Sequence, residues 1–545
     1  MTILKKVKAW PTHWIQQNGK FPEQTIDAFI ESSSDKDIGV AFSGGGTRSA
    51  CCTVGQLKAL HDTGLINRVK YISAVSGGAW ASIPYTYVSA EKLEHYFGDI
   101  KEPQSLSWDT VTSVPPHSMQ DCIVNSGILG KLIRSGLKGK GDESFANVLG
   151  DIFLKPLGLH SPNMSFTYND QTRGEACEVN SVLTAHSFMM ARQDAPYLIV
   201  NATLLNQDGI EFKKKYHVEY TPYYSGIRRE VTDEDAFNAD DYFGGGYISS
   251  YAYDTIGPYD VKETNNTYEF TVKRSPKKWL DWTSERAFSL SDIMASTGAA
   301  PQGVTDAFKI SAIGFPEFNH FPISIPSNKT RVAEEYSHSD GGQMENLGIM
   351  PLLARKVEKI IVFINTKKPF KSGDDVTKAE LNISLKNLFI STDNWHKFTQ
   401  FDDNIVFKNG EAELNKIIQQ FNQCVSEVDG ECPADQVLFA QSNLVTCNNE
   451  TYAIKEGHVV SVTWIYNQRS LEWENKLADR DIAKAIAEQS ANKDNQYKLD
   501  NFPHYKTFME NSSVIKLTKL QTNLLSGLSY WTAKKVITEH LQSDS

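Results

Sequence analysis

The chain has 545 residues, 40% of them hydrophobic and 22% charged, with ten tryptophans and a formal charge of −11. This composition describes an ordered globular protein, long enough for two or more average domains, and excludes an intrinsically disordered chain. The acidic balance argues against a nucleic-acid partner, which usually needs a basic face, and against capture by anionic membranes through global charge.

Residues 1–36 read as a leader packed on the surface, with Trp10, Trp14 and Phe21 as anchors. Lys5, Lys6 and Lys8 precede Ala9-Trp10-Pro11 without the apolar stretch and cleavage site of a signal peptide. No run of about 18 apolar residues occurs anywhere, so no transmembrane helix is expected and any membrane contact should be peripheral. A cytoplasmic or peripheral-membrane location is expected, with delivery by a signal-independent route left open. Ile38-Gly39-Val40-Ala41-Phe42 is a short apolar run closing on glycines, which suits a buried parallel strand. From Ser49 the pattern turns helical through Ala50, Val54, Leu57 and Leu60, and Gly64 supplies the stop. Tyr71 to Val75 is the next strand. Strand, helix and strand make a βαβ unit, hence a parallel sheet with a right-handed crossover.

The stretch 98–160 is irregular, rich in proline and glycine, and carries the basic residues Lys131, Arg134, Lys138 and Lys140 among apolar Ile128, Leu129, Leu132 and Ile133. Strands are predicted over 195–205, 216–220 and 268–273, a helix over 290–300 that closes at Pro301, and a strand over 359–364. Beyond 370 the clearest elements are a strand at 459–466 and a closing helix with Leu517, Leu520, Leu524, Leu528 and Trp531 on one face. Neither a repeat nor a linker interrupts the chain, so one large α/β domain with insertions is expected. The seven cysteines lack metal-ligand spacing and read as free thiols in a reducing compartment; neither metal nor cofactor is expected.

Two motif groups carry chemistry. Ser43-Gly44-Gly45-Gly46-Thr47-Arg48 closes a strand and opens a helix, so backbone N–H groups converge on one spot that suits an oxyanion or a phosphate. A nucleotide loop is the weaker reading: no lysine follows at P-loop spacing, and Ser49 stands where a dinucleotide fingerprint needs its third glycine. Val75-Ser76-Gly77-Gly78-Ala79-Trp80 has the setting of a nucleophile elbow, with Ala74 where the usual pentapeptide carries glycine. Much later, Ser339-Asp340-Gly341-Gly342 puts a carboxylate on a tight turn. His338 shares a strand face with Asp340, which sets the two side by side; a triad needs the imidazole between carboxylate and serine. Ester hydrolysis requires a nucleophile, a base and oxyanion donors, and these segments can supply all three.

The order Ser-Gly-Gly-Gly-x-Arg, helix, Ser-Gly-Gly-x-Trp resembles the cytosolic phospholipase A and fungal lysophospholipase branch of the patatin-like acyl hydrolases. Val218-Glu219-Tyr220-Thr221-Pro222-Tyr223 and the run from Asp340 through Gly348 to Leu353 are similar to later segments of that branch. The resemblance spans about 37–366 and implies a three-layer α/β/α fold with a central, mostly parallel sheet. It implies one catalytic domain over 37–541, with 370–541 as a C-terminal extension; by its own composition 98–160 reads as a cap insertion controlling lipid access, with an ordinary solvated insertion as the alternative. It also implies Ser76 as nucleophile, Asp340 as base, Gly44, Gly45 and Gly46 as oxyanion hole, and Arg48 as head-group or oxyanion support. The expected activity is lipid acyl hydrolysis, of phospholipids or lysophospholipids at a membrane surface. A neutral-lipid or small-ester hydrolase, or an inactive lipid-binding scaffold, stays open on the same fold. With about 36 residues ahead of the first motif, calcium-driven recruitment is not expected.

Overall fold

A computed structural model describes residues 2–127, 144–208, 211–230, 243–275, 286–299, 316–324, 331–392, 404–428, 430–491, 497–506 and 516–542. In chain order the strands are β1 (Ile3–Pro11), β2 (Ile38–Phe42), β3 (Val69–Val75), the short pair β4 (Ser165–Thr167) and β5 (Phe188–Met190), β6 (Tyr197–Asp208), β7 (Glu211–Tyr220) and β8 (Tyr224–Glu230). They continue with β9 (Gly244–Ser249), β10 (Thr255–Thr264), β11 (Thr267–Arg274), β12 (Glu317–His320), β13 (Glu334–Asp340), β14 (Lys359–Ile364), β15 (Leu438–Val445) and β16 (Val459–Tyr466). All but β4 and β5 join one 14-stranded sheet, in the order β10-β11-β1-β9-β8-β7-β6-β3-β2-β14-β16-β15, with β13 on β6 and β12 on β13.

The sheet is mixed, whereas a mostly parallel one was expected. Its centre, β6-β3-β2-β14-β16, is parallel throughout. Antiparallel strands extend it on both sides. The central strands are buried on both faces, and alternate side chains feed two cores. Val40, Phe42, Ile361 and Phe363 face the core shared with helices Gly46–Asp62 and Lys519–Val536. Ala41, Ile360, Val362 and Ile364 face the other, with Leu352, Leu353, Leu414 and Ile418. Two helical layers around one sheet follow from that alternation.

Residues 1–36 are more than a surface leader, because β1 lies inside the sheet between β11 and β9. Leu4, Val7 and Ala9 are fully buried, and Trp10 and Phe21 pack with Ile15, Tyr224 and Tyr247. The basic segment of the expected cap, Lys131 to Lys140, lies outside the described residues. Its described flanks pack inward: Met119, Ile123, Phe145 and Leu149 belong to the main core. No helix among the described residues is long and apolar enough to cross a membrane.

Candidate active site

Strands β3, β2 and β14 end side by side, and the segments leaving their carboxyl ends build the site, as in other open parallel sheets. After Val75 the chain turns at Ser76 into helix Gly77–Tyr87. Ser76 holds φ 49° and ψ −119°, a strained conformation for a side-chain-bearing residue. Packing enforces it. A Cβ at Gly77 would overlap the Gly46 carbonyl, and one at Gly78 would lie 2.7 Å from the Phe42 oxygen, so the elbow can press on the glycine loop only with glycine at both positions. The Ser76 N–H donates to Thr297 Oγ1 at 2.8 Å, and the Thr297 hydroxyl donates to the Asn201 carbonyl at 2.5 Å. Buried Thr297 thereby fixes the strained turn to β6.

Register brings the carboxylate to the serine. Along one edge of β6, β3 pairs as far as Val75 opposite Asn201, and β13 takes over with Asp340 opposite Ala202. Ser76 Oγ donates to Asp340 Oδ2 at 2.7 Å, and the Gly342 N–H donates to Oδ1 at 2.8 Å. Thr203 Oγ1 donates to the Asp340 carbonyl at 2.9 Å, and the Asp340 N–H to that of Ala299 at 2.6 Å. Burial pushes the Asp340 carboxyl up to about 6, against the lowering effect of the bonds from Ser76 and Gly342. Just beyond, buried Glu345 accepts from the N–H groups of Leu347, Gly348 and Ile349 at 2.5, 2.7 and 3.0 Å and holds the loop that carries Asp340.

The three glycines leave β2 for helix Gly46–Asp62, with φ of 142° at Gly45 and 56° at Gly46. The Gly44 N–H donates to the Asn346 carbonyl at 2.9 Å, so that donor is engaged within the fold. Gly45 and Gly46 stand at the positive end of the helix, on the same cavity wall as Ser76.

Arg48 also lines this cavity, but three of its five N–H donors are held by backbone carbonyls. Its Nε and Nη2 donate to the Asn365 carbonyl at 3.2 and 3.1 Å, and Nη1 to that of Tyr505 at 2.6 Å. The side chain is buried, and burial pushes its pKa down to about 10. A Cβ on Gly45 would overlap the guanidinium, so Arg48 lies directly beneath the loop. Asn365 in turn donates its N–H to Ser43 Oγ at 2.7 Å and exchanges side-chain bonds with Gln56 at 2.7 and 3.2 Å.

His338 is also occupied elsewhere. Its Nδ1–H donates to the Tyr336 carbonyl at 2.9 Å, which leaves Nε2 to accept from the Tyr253 hydroxyl at 3.0 Å. Burial drives its pKa down to about 3, so the ring is neutral. It pairs opposite Leu204, two positions along β13 from Asp340.

A cavity of about 600 Å³ opens over these groups, lined by Ser76, Asp340, the glycine loop, Trp80, Asn346 and the segment after β14. Thr297 and Asn365 carry no local sequence signal, since their partners lie from 96 to 322 positions away; Asn346 falls within the aspartate motif, but its backbone bond to Gly44 has no signature.

The family model for patatin-like phospholipases matches residues 40–353, more than half the chain. No curated protein matches. Among solved structures, human GIVD cytosolic phospholipase A2 is similar at 12% identity and a TM-score of 0.42, over 95% of this chain and 62% of that one. The same human enzyme bound to methyl gamma-linolenyl fluorophosphonate gives 12% and 0.37, over 95% and 61%. VipD from Legionella pneumophila gives 12% and 0.15, over 46% of this chain and 48% of that one. The chain thus spans 62% of the length of the human enzyme's chain. By the match across its glycine loop, serine elbow and aspartate turn, the chain belongs to the patatin-like phospholipase family.

Proposed function

We propose that the protein is a phospholipase A or lysophospholipase that cleaves carboxylic esters of glycerophospholipids through an acyl-enzyme at Ser76. The observation that carries this reading is the 2.7 Å bond from Ser76 Oγ to Asp340 Oδ2 at a strained turn beneath a glycine loop. As Oγ attacks the ester carbonyl, Asp340 takes its proton. The N–H groups of Gly45 and Gly46, at a helix N-terminus, receive the oxyanion, and the buried charge of Arg48 beneath them adds to that potential. Collapse of the tetrahedral intermediate breaks the ester bond, and Asp340 passes its proton to the leaving alkoxide. Water then attacks the acyl-serine with Asp340 again as base, and Asp340 returns that proton to Ser76 Oγ as the acyl–oxygen bond breaks and the fatty acid leaves. A carboxyl at about 6 is ionised at neutral pH yet a better base than an ordinary aspartate, near 3.9.

One observation favours the neutral-ester alternative: three of the five Arg48 N–H donors are bound to backbone carbonyls, which reduces what that residue can offer a phosphate. Assays of defined diacyl and monoacyl phospholipids beside triacylglycerol, with the released fatty acid identified by mass, decide between them. A fluorophosphonate probe should label the wild type and fail on Ser76→Ala. Labelling that persists at another serine overturns the assignment.

A further inference from the structure

Asn346 joins the aspartate loop to the glycine loop. Its carbonyl takes the Gly44 N–H at 2.9 Å, which removes one of the donors expected of the glycine run. Its side chain turns back toward the same place. A Cβ built on Gly44 would overlap Asn346 Oδ1 and lie 3.2 Å from Ser76 Cβ. One built on Gly342 would lie 2.5 Å from that Oδ1 and 3.1 Å from Asp340 Oδ1. The carboxamide therefore sits in the seam between the two loops, beside both Ser76 and Asp340, and lines the cavity above them.

Its orientation follows from what the seam offers. The Cα–H groups of Gly44 and Gly342 suit an acceptor and give an N–H nothing to bind, so the amide oxygen takes the seam. Nδ2 is left to the cavity. Among the described residues the carboxamide has no hydrogen-bond partner, and it is open to the cavity rather than sealed in the fold. The backbone that carries it is fixed on both sides. The Met344 carbonyl accepts from Asn404 Nδ2 at 2.6 Å, and the Glu345 carboxylate holds the N–H groups of Leu347, Gly348 and Ile349. A half-buried amide donor on a braced loop, with no bond inside the fold, is preorganised for a ligand atom.

We propose that Asn346 is a further catalytic residue, whose Nδ2 donates to the oxyanion in place of the Gly44 N–H that its own carbonyl removes; the inference rests on the ester-hydrolase reading above. As Ser76 Oγ bonds to the ester carbon, the carbonyl π pair moves onto oxygen, and Nδ2–H binds that oxyanion beside the N–H groups of Gly45 and Gly46. When the tetrahedral intermediate collapses, the pair returns to the carbonyl and the bond from Nδ2 weakens. The same cycle recurs when water attacks the acyl-serine. The amide gives up no proton at either step, so Asp340 stays the base throughout.

Hydrolysis of p-nitrophenyl butyrate in a stopped-flow instrument separates the two steps, because the burst of nitrophenolate reads acylation and the steady rate reads deacylation. Asn346→Ala should slow both by the same factor, on the order of 10²–10³, the cost of one lost oxyanion donor. KM should change little, since the carbonyl oxygen carries its full charge only at the transition state. Asn346→Asp keeps the shape, exchanges the donor for an oxygen, and should lose at least as much. Burst amplitude counts the competent sites. Lost amplitude at wild-type rates therefore marks a folding defect and overturns the proposal, as does full activity in either variant. Slowing of the steady rate alone would make Asn346 a residue that positions the attacking water, which also overturns it. In each of these outcomes the wild type still turns over and the hydrolase reading stands. If the wild type releases nitrophenolate no faster than Ser76→Ala, that reading fails and the proposal falls with it.

Discussion

Asp340 faces two demands that oppose each other. As base in the proposed mechanism it must be ionised, yet burial pushes its carboxyl up to about 6. Hydrolysis of a soluble ester should therefore rise with pH along an apparent pKa near 6 and level off above it, and Asp340→Asn should abolish most turnover at every pH. Stability should run the other way. A carboxyl raised in the folded state favours the protonated form there, so its contribution is complete below the unfolded value near 3.9 and is lost as pH rises through about 6. At pH near 8 the ionised group costs up to about 3 kcal/mol by that linkage. Asp340→Asn should accordingly raise the melting temperature at alkaline pH, with the gain shrinking toward pH 4; an unchanged melting temperature at both ends would contradict the burial argument. Arg48 gives a second test. Because its bound donors serve the Asn365 and Tyr505 carbonyls, Arg48→Ala should lower hydrolysis of a phospholipid and of a nitrophenyl ester by the same factor, on the order of tenfold or more as three charge-assisted bonds beneath the loop are lost. A selective loss on the phospholipid would restore Arg48 as a head-group ligand. The serine, the aspartate and the glycines were legible because each sits on a turn with its own local signature. What Arg48 binds was not, since Asn365 and Tyr505 are distant in sequence and backbone carbonyls leave no pattern.

Among the elements, the buried central strands were the easiest to read: 38–42, 359–364 and 459–466 coincide with β2, β14 and β16. Continuous apolar runs mark strands covered on both faces. β1 escaped because Lys6 takes φ 51° and the register shifts between Leu4 and Val7, which breaks the alternation that reveals a strand. β9 escaped because Gly244-Gly245-Gly246 reads as a loop. A Cβ at Gly246 would overlap the Trp10 carbonyl, so glycine there serves the close approach of β1. The same logic decides a substitution where helix Gly46–Asp62 meets helix Lys519–Val536. Alanine is the better helix former by about one kcal/mol, which predicts a gain for Gly55→Ala. However, its Cβ would overlap the Ser526 carbonyl and come within 2.9 Å of the Tyr530 nitrogen, both of them backbone atoms that cannot swing aside. The overpacking term, about 1–3 kcal/mol, outweighs the propensity. Denaturant unfolding should find Gly55→Ala less stable than wild type, and a gain would show that the two helices can part without loss.

At the scale of the whole molecule, a buried charge cluster joins segments far apart in sequence. Glu23 comes from the turn Pro22–Thr25, Glu219 from β7, and Arg355 from the end of helix Met350–Ala354, which follows the aspartate loop. Arg355 Nε meets Glu23 at 3.0 Å and Nη2 meets Glu219 at 2.7 Å, with all three side chains essentially buried. The Tyr224 and Tyr71 hydroxyls donate to Glu23 at 2.7 and 3.1 Å, which extends the cluster to β8 and to β3, the strand that ends at Ser76. Burial alone would raise the Glu219 carboxyl; the Arg355 guanidinium outweighs it and holds the pKa below the usual range. Stability from this group is thus present above the unfolded glutamate value and lost as pH falls through the folded one. Arg355→Met would leave the Glu23 and Glu219 carboxylates buried without the guanidinium that pairs them, a loss of about 3–5 kcal/mol. The deficit should be largest at neutral pH and narrow toward pH 4, as the Glu219 carboxyl that has lost its guanidinium accepts a proton. Glu23→Gln and Glu219→Gln combined with Arg355→Met should recover much of it, because the penalty lies in the unpaired charges and not in the missing side chain. Chemical unfolding of the three proteins at pH 7 and pH 4 measures each step. A deficit that does not change with pH would assign the role of Arg355 to packing against Phe21, whose ring its guanidinium covers at 3.9 Å, in place of charge.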